Sequence, residues 1–495
     1  MNVSVEQRRP VEVSADLLAV SLFEGEQPAG TIAELDAAIG GGIDRLLDLG
    51  EFTGKLHETA FVAASGAGTP RLLVVGAGKE GEFTADRARS VAGAAVRAAR
   101  RRPVARIALA LRSTLEASAT GEAVAEGAVL ADWDPGLYKS KPDERLGRIT
   151  DVVLLPPDPA ARDAFAASVA RGSAIAEGQN LARTLANSPA NLMLPMDLVG
   201  EAQKLAPLGL EIEVLDRAAL EAKGLTAILA VGGGSDNPPA LATLRYRGAG
   251  DAPFLGLVGK GVCFDSGGLS IKPADRMHEM RMDMSGAAAV LGAMHAIATL
   301  KPKANVLGVI AAVENLPSSH CYRPGDVLKT LSGKTIEVQN TDAEGRIVLA
   351  DAITYAQRMG ANRIVDAATL TGAITVALGN LTTGVFGAPQ SFVDEVLAAA
   401  RAVGEKMWQL PLYEEYREQI KSDLADVLNV GGRGAGSITA AQFIQTFVED
   451  GVPWVHLDIA GTAYSDKESA DLAKSARGVP VRTFVQLALS AAADR

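Results

Sequence analysis

Apolar and helical patterns alternate along the first part of the chain. Short aliphatic runs, the pattern of buried strands, occur at 16–22, 71–75, 106–111 and 151–155. Segments with apolar residues three and four positions apart, the pattern of amphipathic helices, occur at 31–39, 85–99 and 115–130. Strands that alternate with helices predict an α/β unit. A proline-rich turn at 156–159 ends this unit.

A second and larger α/β region follows the turn, after a long helical pattern at 160–186. Its strands are predicted at 211–215, 227–231, 241–246, 254–258, 306–312, 363–367 and 454–459. Its helices are predicted at 196–205, 287–300, 347–359, 392–403 and 440–448. The predicted fold class is α/β, with a smaller N-terminal α/β domain at 1–158, a connecting helix at 159–186 and a larger C-terminal α/β/α domain at 187–495 around a mixed, mostly parallel sheet.

Composition and charge exclude several classes of protein. The chain has 495 residues, a net charge of −11 and 4% aromatic residues, which argues against a large nucleic-acid-binding surface. No apolar run approaches the ~20 residues of a membrane span, and the first residues lack the apolar core of a signal peptide. Two cysteines exclude a disulfide framework, and the five histidines form no HExxH motif. A cytoplasmic protein with no membrane partner is therefore expected.

One glycine-rich turn imitates a dinucleotide-binding motif. The segment 76–81 has the GxGxxG spacing and follows a predicted strand. The motif also requires an acidic residue about 20 positions later at the end of the next strand, and that strand ends in Leu111-Arg112. A turn that uses glycines at positive φ is the favoured interpretation. Nicotinamide binding by the N-terminal domain stays open as an alternative.

The segment 340–346, Asn-Thr-Asp-Ala-Glu-Gly-Arg, carries two carboxylates and a guanidinium directly before a predicted helix. The spacing Thr341-x-x-Glu344 fits a capping box, in which both side chains satisfy free backbone N–H groups. Alternatively, Asp342 and Glu344 bind a metal. Residues two positions apart do not share a helix face, so the metal hypothesis requires irregular backbone at this point.

Three charged residues upstream favour the metal hypothesis. Lys260 and Asp265 lie among glycines just after the predicted strand 254–258. Asp283 has a methionine on each side, and an acid in so apolar a segment must be paired or bound to a cation. Each of these residues also has an ordinary structural explanation, as a surface charge, a turn residue or a helix cap. Their occurrence together is harder to explain in that way.

The candidate ligands carry four negative charges and include no histidine. They are Asp265, Asp283, Asp342 and Glu344. Two divalent cations would balance these charges, as in enzymes that hydrolyse their substrates with paired metals. A lysine beside two such cations would lose its proton and become a ligand, which is the role expected of Lys260. Lys272 and Arg346 are then left to face a developing oxyanion.

Together these segments resemble the leucyl (cytosol) aminopeptidases. The specific matches are 258–261, 264–273, 282–284 and 340–346, and the resemblance extends through 187–191, 369–373, 436–441 and 456–463. It covers the predicted C-terminal domain, which would be the catalytic metallopeptidase domain. The N-terminal domain is similar to the variable domain of the family without a specific motif, and we expect it to serve oligomerisation or regulation.

The resemblance implies two divalent metal ions per subunit, zinc or manganese. The implied ligands of the tighter ion are Lys260, Asp265, Asp283 and Glu344. Those of the more exchangeable ion are Asp265, Asp342 and Glu344. Lys272 would polarise the scissile carbonyl and stabilise the gem-diolate, and a bicarbonate on Arg346 would act as general base.

The resemblance also implies a substrate and an assembly. A hydroxide that bridges the two metals would attack the first peptide bond, and the free α-amine on one metal would restrict cleavage to the N-terminal residue. The residues implied to line the side-chain pocket are Met280, Thr369, Gly372 and Ala460. The expected preference is for leucine but broad, and the expected assembly is a homohexamer. A Cys-Gly dipeptidase with the same site and a DNA-binding role, which the charge argues against, stay as alternatives.

Overall fold

The fold is described by a computed structural model that covers residues 1–141 and 147–493. Residues 142–146 of the predicted first domain and 494–495 of the predicted last one lie outside the described residues. The chain divides into two compact units, Met1–Glu177 with Asp466–Lys474 and Gly178–Ser465 with Ser475–Arg495. Both units are α/β, and the predicted fold class is confirmed.

The first unit contains a sheet of six strands within the described residues. The strands are β1 (Asn2–Val5), β2 (Leu17–Leu22), β3 (Thr59–Ala63), β4 (Arg71–Gly76), β5 (Arg106–Ala110) and β6 (Asp151–Leu154). Their order is β1-β6-β5-β2-β4-β3, and all pairs are parallel except β3 with β4. Strands β1 and β3 have no counterpart among the predicted strands.

The helices of the first unit cover both faces of this sheet. They are α1 (Thr31–Ala38), α2 (Gly42–Asp48), α3 (Ala85–Ala99), α4 (Ala117–Asp132) and α5 (Arg162–Asn187), which continues into the second unit. In β2, Leu17 and Ala19 belong to the apolar core on one face of the sheet, and Leu18 and Val20 belong to the core on the other. Burial on both faces explains the continuous apolar runs of the sequence.

The second unit contains a larger mixed sheet. Its strands are β7 (Glu211–Leu215), β8 (Ala240–Arg247), β9 (Phe254–Asp265), β10 (Asn305–Asn315), β13 (Ala361–Ala368), β14 (Thr383–Ala388), β15 (Met407–Gln409) and β17 (Trp454–Asp458). Short strands outside this sheet are β11 (Val327–Lys329), β12 (Thr335–Glu337), β16 (Val427–Leu428), β18 (Tyr464–Ser465) and β19 (Ser475–Ala476). The order of the large sheet is β15-β14-β17-β13-β9-β10-β8-β7.

The helices of the second unit lie mostly between these strands. They are α6 (Pro195–Gln203), α7 (Arg217–Lys223), α8 (Thr226–Gly232), α9 (Ser285–Leu300), α10 (Glu344–Arg358), α11 (Gly372–Leu378), α12 (Gln390–Val403), α13 (Gly436–Gln445) and α14 (Val481–Ala493). The segment Met277–Leu300 is long and apolar enough to cross a membrane by composition, but 83% of its apolar window is buried inside the fold. It therefore has the character of a core helix.

The four central strands of the large sheet, β17, β13, β9 and β10, are parallel to one another. Their carboxyl ends therefore lie at one edge of the sheet, where open α/β sheets hold their ligands. The last residues of these strands are Asp458, Ala368, Asp265 and Asn315. Three of the four are polar and almost completely buried, so this edge of the sheet is a candidate for a functional site.

The strand predicted at 227–231 is wrong, because this segment is helix α8. The backbone N–H groups of Ala227 and Ile228, in its first turn, donate to the carboxylate of Asp351 at 2.8 and 3.3 Å. A carboxylate at this position satisfies free donors of the first turn and favours the helix. The cap comes from a residue 124 positions away, so a short apolar run could not reveal it.

Candidate metal centre

The predicted metal ligands come from three segments at this edge of the sheet. Lys260 lies within β9, Asp265 is its last residue, and Asp283 precedes α9. Glu344 is the first residue of α10, and Asp342 lies in the loop before it. Four of the five are at most 5% exposed, and the side chain of Asp342 is 32% exposed. The fold thus brings together residues that are up to 84 positions apart in sequence.

Lys260 lies between two carboxylates. Its Nζ is 2.7 Å from Oδ2 of Asp283 and 2.7 Å from Oε1 of Glu344, and it donates to the carbonyl oxygen of Thr369 at 2.9 Å. Burial alone would lower the pKa of Lys260, but the neighbouring carboxylates outweigh it and raise the pKa above its usual value. The lysine is therefore an ammonium as long as carboxylates alone surround it.

Lys272 joins the other two carboxylates. Its Nζ is 2.8 Å from Oδ2 of Asp265 and 2.5 Å from Oδ1 of Asp342. Burial would lower the pKa of Lys272, but the two carboxylates raise it above its usual value. Its side chain is 20% exposed, so this amine lies at the open side of the cluster.

The carboxylates converge on a space that suits divalent cations. One oxygen each of Asp265, Asp342 and Glu344 lies within 4.8 Å of the others. Burial and the nearby charge of Glu344 raise the pKa of Asp265 to about 6. Burial also raises the pKa of Asp283 well above its usual value, although Lys260 opposes the shift. The site therefore holds more negative charge than it easily accommodates.

The donor set fits divalent metals. Four carboxylates share only two ammonium groups, so the negative charges of the cluster exceed its positive charges by two. Carboxylate oxygens, with a lysine amine when it is neutral, are suitable ligands for manganese and zinc. Paired metals also require carboxylates that can bridge them, which three convergent carboxylates provide.

The capping-box interpretation of Thr341 and Glu344 is wrong. Helix α10 begins at Glu344 without a side-chain cap. The hydroxyl of Thr341 instead donates to the carbonyl oxygen of Gly267 at 2.6 Å and accepts from the backbone N–H of Ser270 at 2.8 Å. Thr341 therefore ties the 340–346 loop to the loop after β9, and Glu344 is left to contact Lys260.

Two buried side chains that the sequence analysis did not single out support this loop. Asn315 donates from Nδ2 to Oδ1 of Asp265 at 2.8 Å and to the carbonyl oxygen of Thr341 at 2.9 Å. The hydroxyl of Tyr322 donates to the same carbonyl at 2.8 Å. The position of Asn315 soon after the apolar run 306–312 could have indicated this role, because a polar residue at the end of a buried strand needs a hydrogen-bond partner.

Gly345 is required by the approach of Lys260. A Cβ at position 345 would lie 2.6 Å from Cε of Lys260 and 2.8 Å from its Nζ. These distances are far below a van der Waals contact. Any side chain at this position would therefore push the lysine away from Glu344 and Asp283.

Arg346 is a buried guanidinium that has an N–H donor available for a further partner. It is 7% exposed, and its Nη1 donates to the carbonyl oxygen of Asn429 at 2.8 Å. Its Nε has no hydrogen-bond partner within the described part of the chain. Burial lowers the pKa of Arg346 to about 10, so the group remains charged. A buried positive group with a free N–H donor is suited to an anion.

The residues predicted to line the substrate pocket lie on elements around this cluster. Thr369 donates from its hydroxyl to Oδ1 of Asp283 at 2.7 Å. Met280 is half-buried, and its carbonyl oxygen accepts from the N–H of Asp283 at 3.2 Å. Gly372 is exposed at the start of α11, and Ala460 follows β17. Hydrogen bonds to Asp458 join the segments that carry these last two residues.

Family models match both parts of the chain. The model described as the cytosol aminopeptidase family, catalytic domain, matches residues 180–485. The model of the N-terminal domain of the same family matches residues 19–142. Among curated relatives, a "probable cytosol aminopeptidase" of Solibacter usitatus is 47% identical over 99% of both chains. One of Roseiflexus castenholzii is 46% identical over 98% of both chains.

Solved structures show the same similarity. The bottromycin maturation enzyme BotP in complex with Mn has a TM-score of 0.86 at 36% identity, over 96% of this chain and 99% of that one. A mutant of tomato leucine aminopeptidase has a TM-score of 0.88 at 33% identity, over 99% of this chain and 96% of that one. Both similarities extend over the full two-unit architecture.

Proposed function

The chain belongs to the cytosol aminopeptidase family, and from that premise we propose that it is a two-metal aminopeptidase with a broad preference for leucine-like N-terminal residues. The observation that carries the proposal is the buried cluster of four carboxylates on two lysines at the carboxyl edge of the central sheet. Charges of this kind are retained in a fold where cations neutralise them.

Two divalent ions, zinc or manganese, would supply Lewis-acid activation of a water and of the peptide carbonyl. Lys260, Asp265, Asp283 and Glu344 would hold one ion. Asp265, Asp342 and Glu344 would hold the other. The convergence of three carboxylates within 4.8 Å supports a metal at this place, and the complex of BotP with Mn supports manganese as one candidate.

Lys272 would stabilise the oxyanion that develops on the scissile carbonyl. Its ammonium lies at the open side of the cluster, where its contact with Asp342 is partly exposed. Its contacts with Asp265 and Asp342 hold it beside the place where a carbonyl oxygen of a metal-bound substrate would lie. A preorganised positive group at the developing charge lowers the barrier most in a site that excludes water.

Arg346 would hold a bicarbonate that supplies a general base. The free Nε of its buried guanidinium supports this role. The bond from Nη1 to the carbonyl oxygen of Asn429 helps to orient the group.

The substrate pocket would be bounded by Met280, Thr369, Gly372 and Ala460. Small residues on two sides leave room for an aliphatic side chain, and Met280 provides an apolar contact. A pocket of this kind discriminates by only ~1–3 kcal/mol per methylene. The preference for leucine over smaller residues is therefore expected to be broad.

The restriction to the N-terminal residue gives the direct test of this function. We expect release of leucine from Leu-Gly-Gly and none from its N-acetylated form, because the free α-amine is required for binding. A panel of aminoacyl p-nitroanilides and the dipeptide Cys-Gly measures the side-chain preference. Cleavage of the acetylated peptide at a similar rate would contradict the assignment.

We also propose a homohexamer in the cytosol, with the predicted domain 1–158 in an oligomerisation or regulatory role. Several large apolar side chains of the catalytic unit are strongly exposed, among them Val376 at 89%, Leu381 at 75%, Leu424 at 67% and Trp408 at 66%. Exposed apolar groups of this size favour an interface with another subunit. Light scattering on the purified protein measures the assembly, and a monomer at micromolar concentration would contradict it.

A further inference from the structure

Asp458, the last residue of β17, is 1% exposed and accepts three hydrogen bonds from the loops around the proposed pocket. Its Oδ2 accepts from the hydroxyl of Thr371 at 2.7 Å. Its Oδ1 accepts from the backbone N–H groups of Leu370 and Ala460, both at 3.2 Å. One carboxylate therefore joins the loop after β13 to the turn after β17.

The same contacts determine where helix α11 begins. The hydroxyl of Thr371 also accepts from the N–H of Ile374 at 3.2 Å, so it caps the helix that starts at Gly372. The same hydroxyl donates its proton to Asp458, which therefore orients the capping residue. The pairing of β13 with β17 and the bond from the N–H of Ile459 to the carbonyl oxygen of Ala368 hold the strand ends together. Beyond these ends, Asp458 adds the contacts that position Gly372 relative to Ala460.

Burial of a carboxylate at this position costs free energy. Within the described residues Asp458 forms no ion pair of its own, and burial raises its pKa above the usual value. Asparagine would have nearly the same shape without the cost of a buried charge. The nearby charge of His456 and the three donors from the pocket loops oppose this rise in the pKa of Asp458, and an ionised acceptor forms stronger hydrogen bonds with those donors.

Small residues on both sides make the pocket sensitive to this anchor. A Cβ added at Gly372 would meet no atom within 4 Å, and Ala460 carries only a methyl group. The backbone positions, rather than large side chains, therefore determine the width of the pocket there. Whatever fixes the two backbone segments also fixes which side chain fits between them.

We propose that Asp458 is a positioning residue that sets the width of the side-chain pocket and thereby the preference for leucine-sized over smaller N-terminal residues. The inference rests on the proposed aminopeptidase function. It assigns to Asp458 no contact with the substrate and no part in the bond cleavage.

The test compares two fully buried carboxylates that both accept backbone N–H groups. Asp458→Ala removes the pocket anchor, and Asp351→Ala removes the cap of α8. For Asp458→Ala we expect KM for Leu-p-nitroanilide to rise about tenfold, with a much smaller change for Ala-p-nitroanilide and in kcat. For Asp351→Ala we expect lower thermal stability and an unchanged ratio of the two kcat/KM values.

Conservative variants separate positioning from folding. Thr371→Ser keeps the hydroxyl and should keep the leucine-to-alanine ratio, whereas Thr371→Val should lower it as Asp458→Ala does. If Asp458→Ala does not fold, the Thr371 pair carries the test. An unchanged ratio in the folded variant that lacks the contact would overturn the inference.

A structural readout distinguishes failure of this inference from failure of the proposed function. Hydrogen exchange should show faster exchange at the amides of Leu370 and Ala460 in Asp458→Ala than in wild type, with no such change in Asp351→Ala. Wild type without activity on any aminoacyl substrate would contradict the proposed function, and the inference with it. If wild type is active and Asp458→Ala shows unchanged exchange at both amides, the inference is contradicted and the proposed function is not.

Discussion

The two units of this chain have the same class of architecture and treat buried charge in different ways. In the first unit, Arg89 on α3 contacts Glu126 on α4, and the two side chains are 4% and 1% exposed. The second contact of Arg89, with Asp86, involves a side chain that is 65% exposed to water. In the second unit, four carboxylates at the end of the sheet contact two ammonium groups. The buried carboxylate of Glu126 thus has a cation within the fold, whereas an excess of carboxylates needs further cations.

This difference indicates where function lies. Burial of an ion pair is costly, and its two members compensate each other only when both are present. Single buried carboxylates such as Asp351 can be satisfied by backbone N–H groups, but a cluster of carboxylates that outnumbers its cations is typical of a site where a ligand binds. This criterion favours a binding site at the edge of the second sheet and a structural role for the Arg89–Glu126 pair.

Glu344→Gln should cause the largest loss of activity. The change removes one charge from the cluster and leaves the size of the side chain unchanged. We expect activity to fall by roughly 10³-fold, the scale for loss of one preorganised charge in an active site, with bound metal lost as well. Circular dichroism should show an intact fold. A Glu344→Gln enzyme with wild-type activity would contradict the role of Glu344 as a ligand.

Gly345→Ala should disturb the same cluster without changing its charge. The added methyl group would overlap Cε of Lys260, so we expect a loss of activity of roughly 10²-fold from misplacement of the amine. Gly200→Ala on α6 is the matched control, since a Cβ there meets no atom within 4 Å. Kinetics with Leu-p-nitroanilide measure both variants. Equal activities would show that Lys260 does not need its observed position.

Arg89→Met should affect stability and leave the chemistry unchanged. The variant removes the Arg89 guanidinium from the buried Glu126 carboxylate, and loss of one member of a buried pair costs about 3–5 kcal/mol. The double variant Arg89→Met/Glu126→Leu should recover most of this loss because it removes both buried charges, and Asp86, the other contact of Arg89, is 65% exposed to water. Urea denaturation and kcat for the folded fraction are the measurements. A large fall in kcat would assign the first unit a part in catalysis.

Asp351 provides a third case, a buried carboxylate held by backbone N–H groups. Burial raises the pKa of Asp351 to about 6, from an ordinary value of 3.8. Because the folded-state pKa is the higher one, the stabilisation from the proton is fully present below pH ~4 and is lost as the pH rises through 6. The shift corresponds to at most about 3 kcal/mol.

Asp351→Asn does not titrate and should lack this pH dependence. The free energy of unfolding of wild type, relative to the variant, should fall between pH 4.5 and pH 7. Urea denaturation of the chelated proteins at both pH values removes metal binding from the comparison. If the free energy of unfolding of wild type relative to the variant rises over this interval, the pKa of Asp351 is lowered by folding and the prediction is wrong.

Much of this picture could be predicted from the sequence, for two separate reasons. The aliphatic runs of β2, β4 and β9 are long because both faces of their sheets are buried, so a local pattern was sufficient. The candidate ligands were found by their chemical types and by the resemblance to the leucyl aminopeptidases. The family comparisons confirm that resemblance.

The remaining features depend on contacts between distant residues. Helix α8 forms where a strand was predicted, because Asp351 caps it from elsewhere in the fold. Thr341 has the spacing of a helix cap, but the loop after β9 offers it other partners. Asp458 lies at the end of an apolar run, but two of its three donors, in Leu370 and Thr371, are 88 and 87 residues away in sequence. Local patterns contain no information about such partners.

The central claim is that the carboxylate excess of the second unit binds divalent metals on which peptide hydrolysis depends. Metal analysis together with hydrolysis of Leu-p-nitroanilide, before and after exhaustive chelation, tests it most directly. The account predicts about two metal ions per chain, loss of activity when they are removed and recovery when manganese or zinc is returned. Full activity in the chelated protein would contradict it.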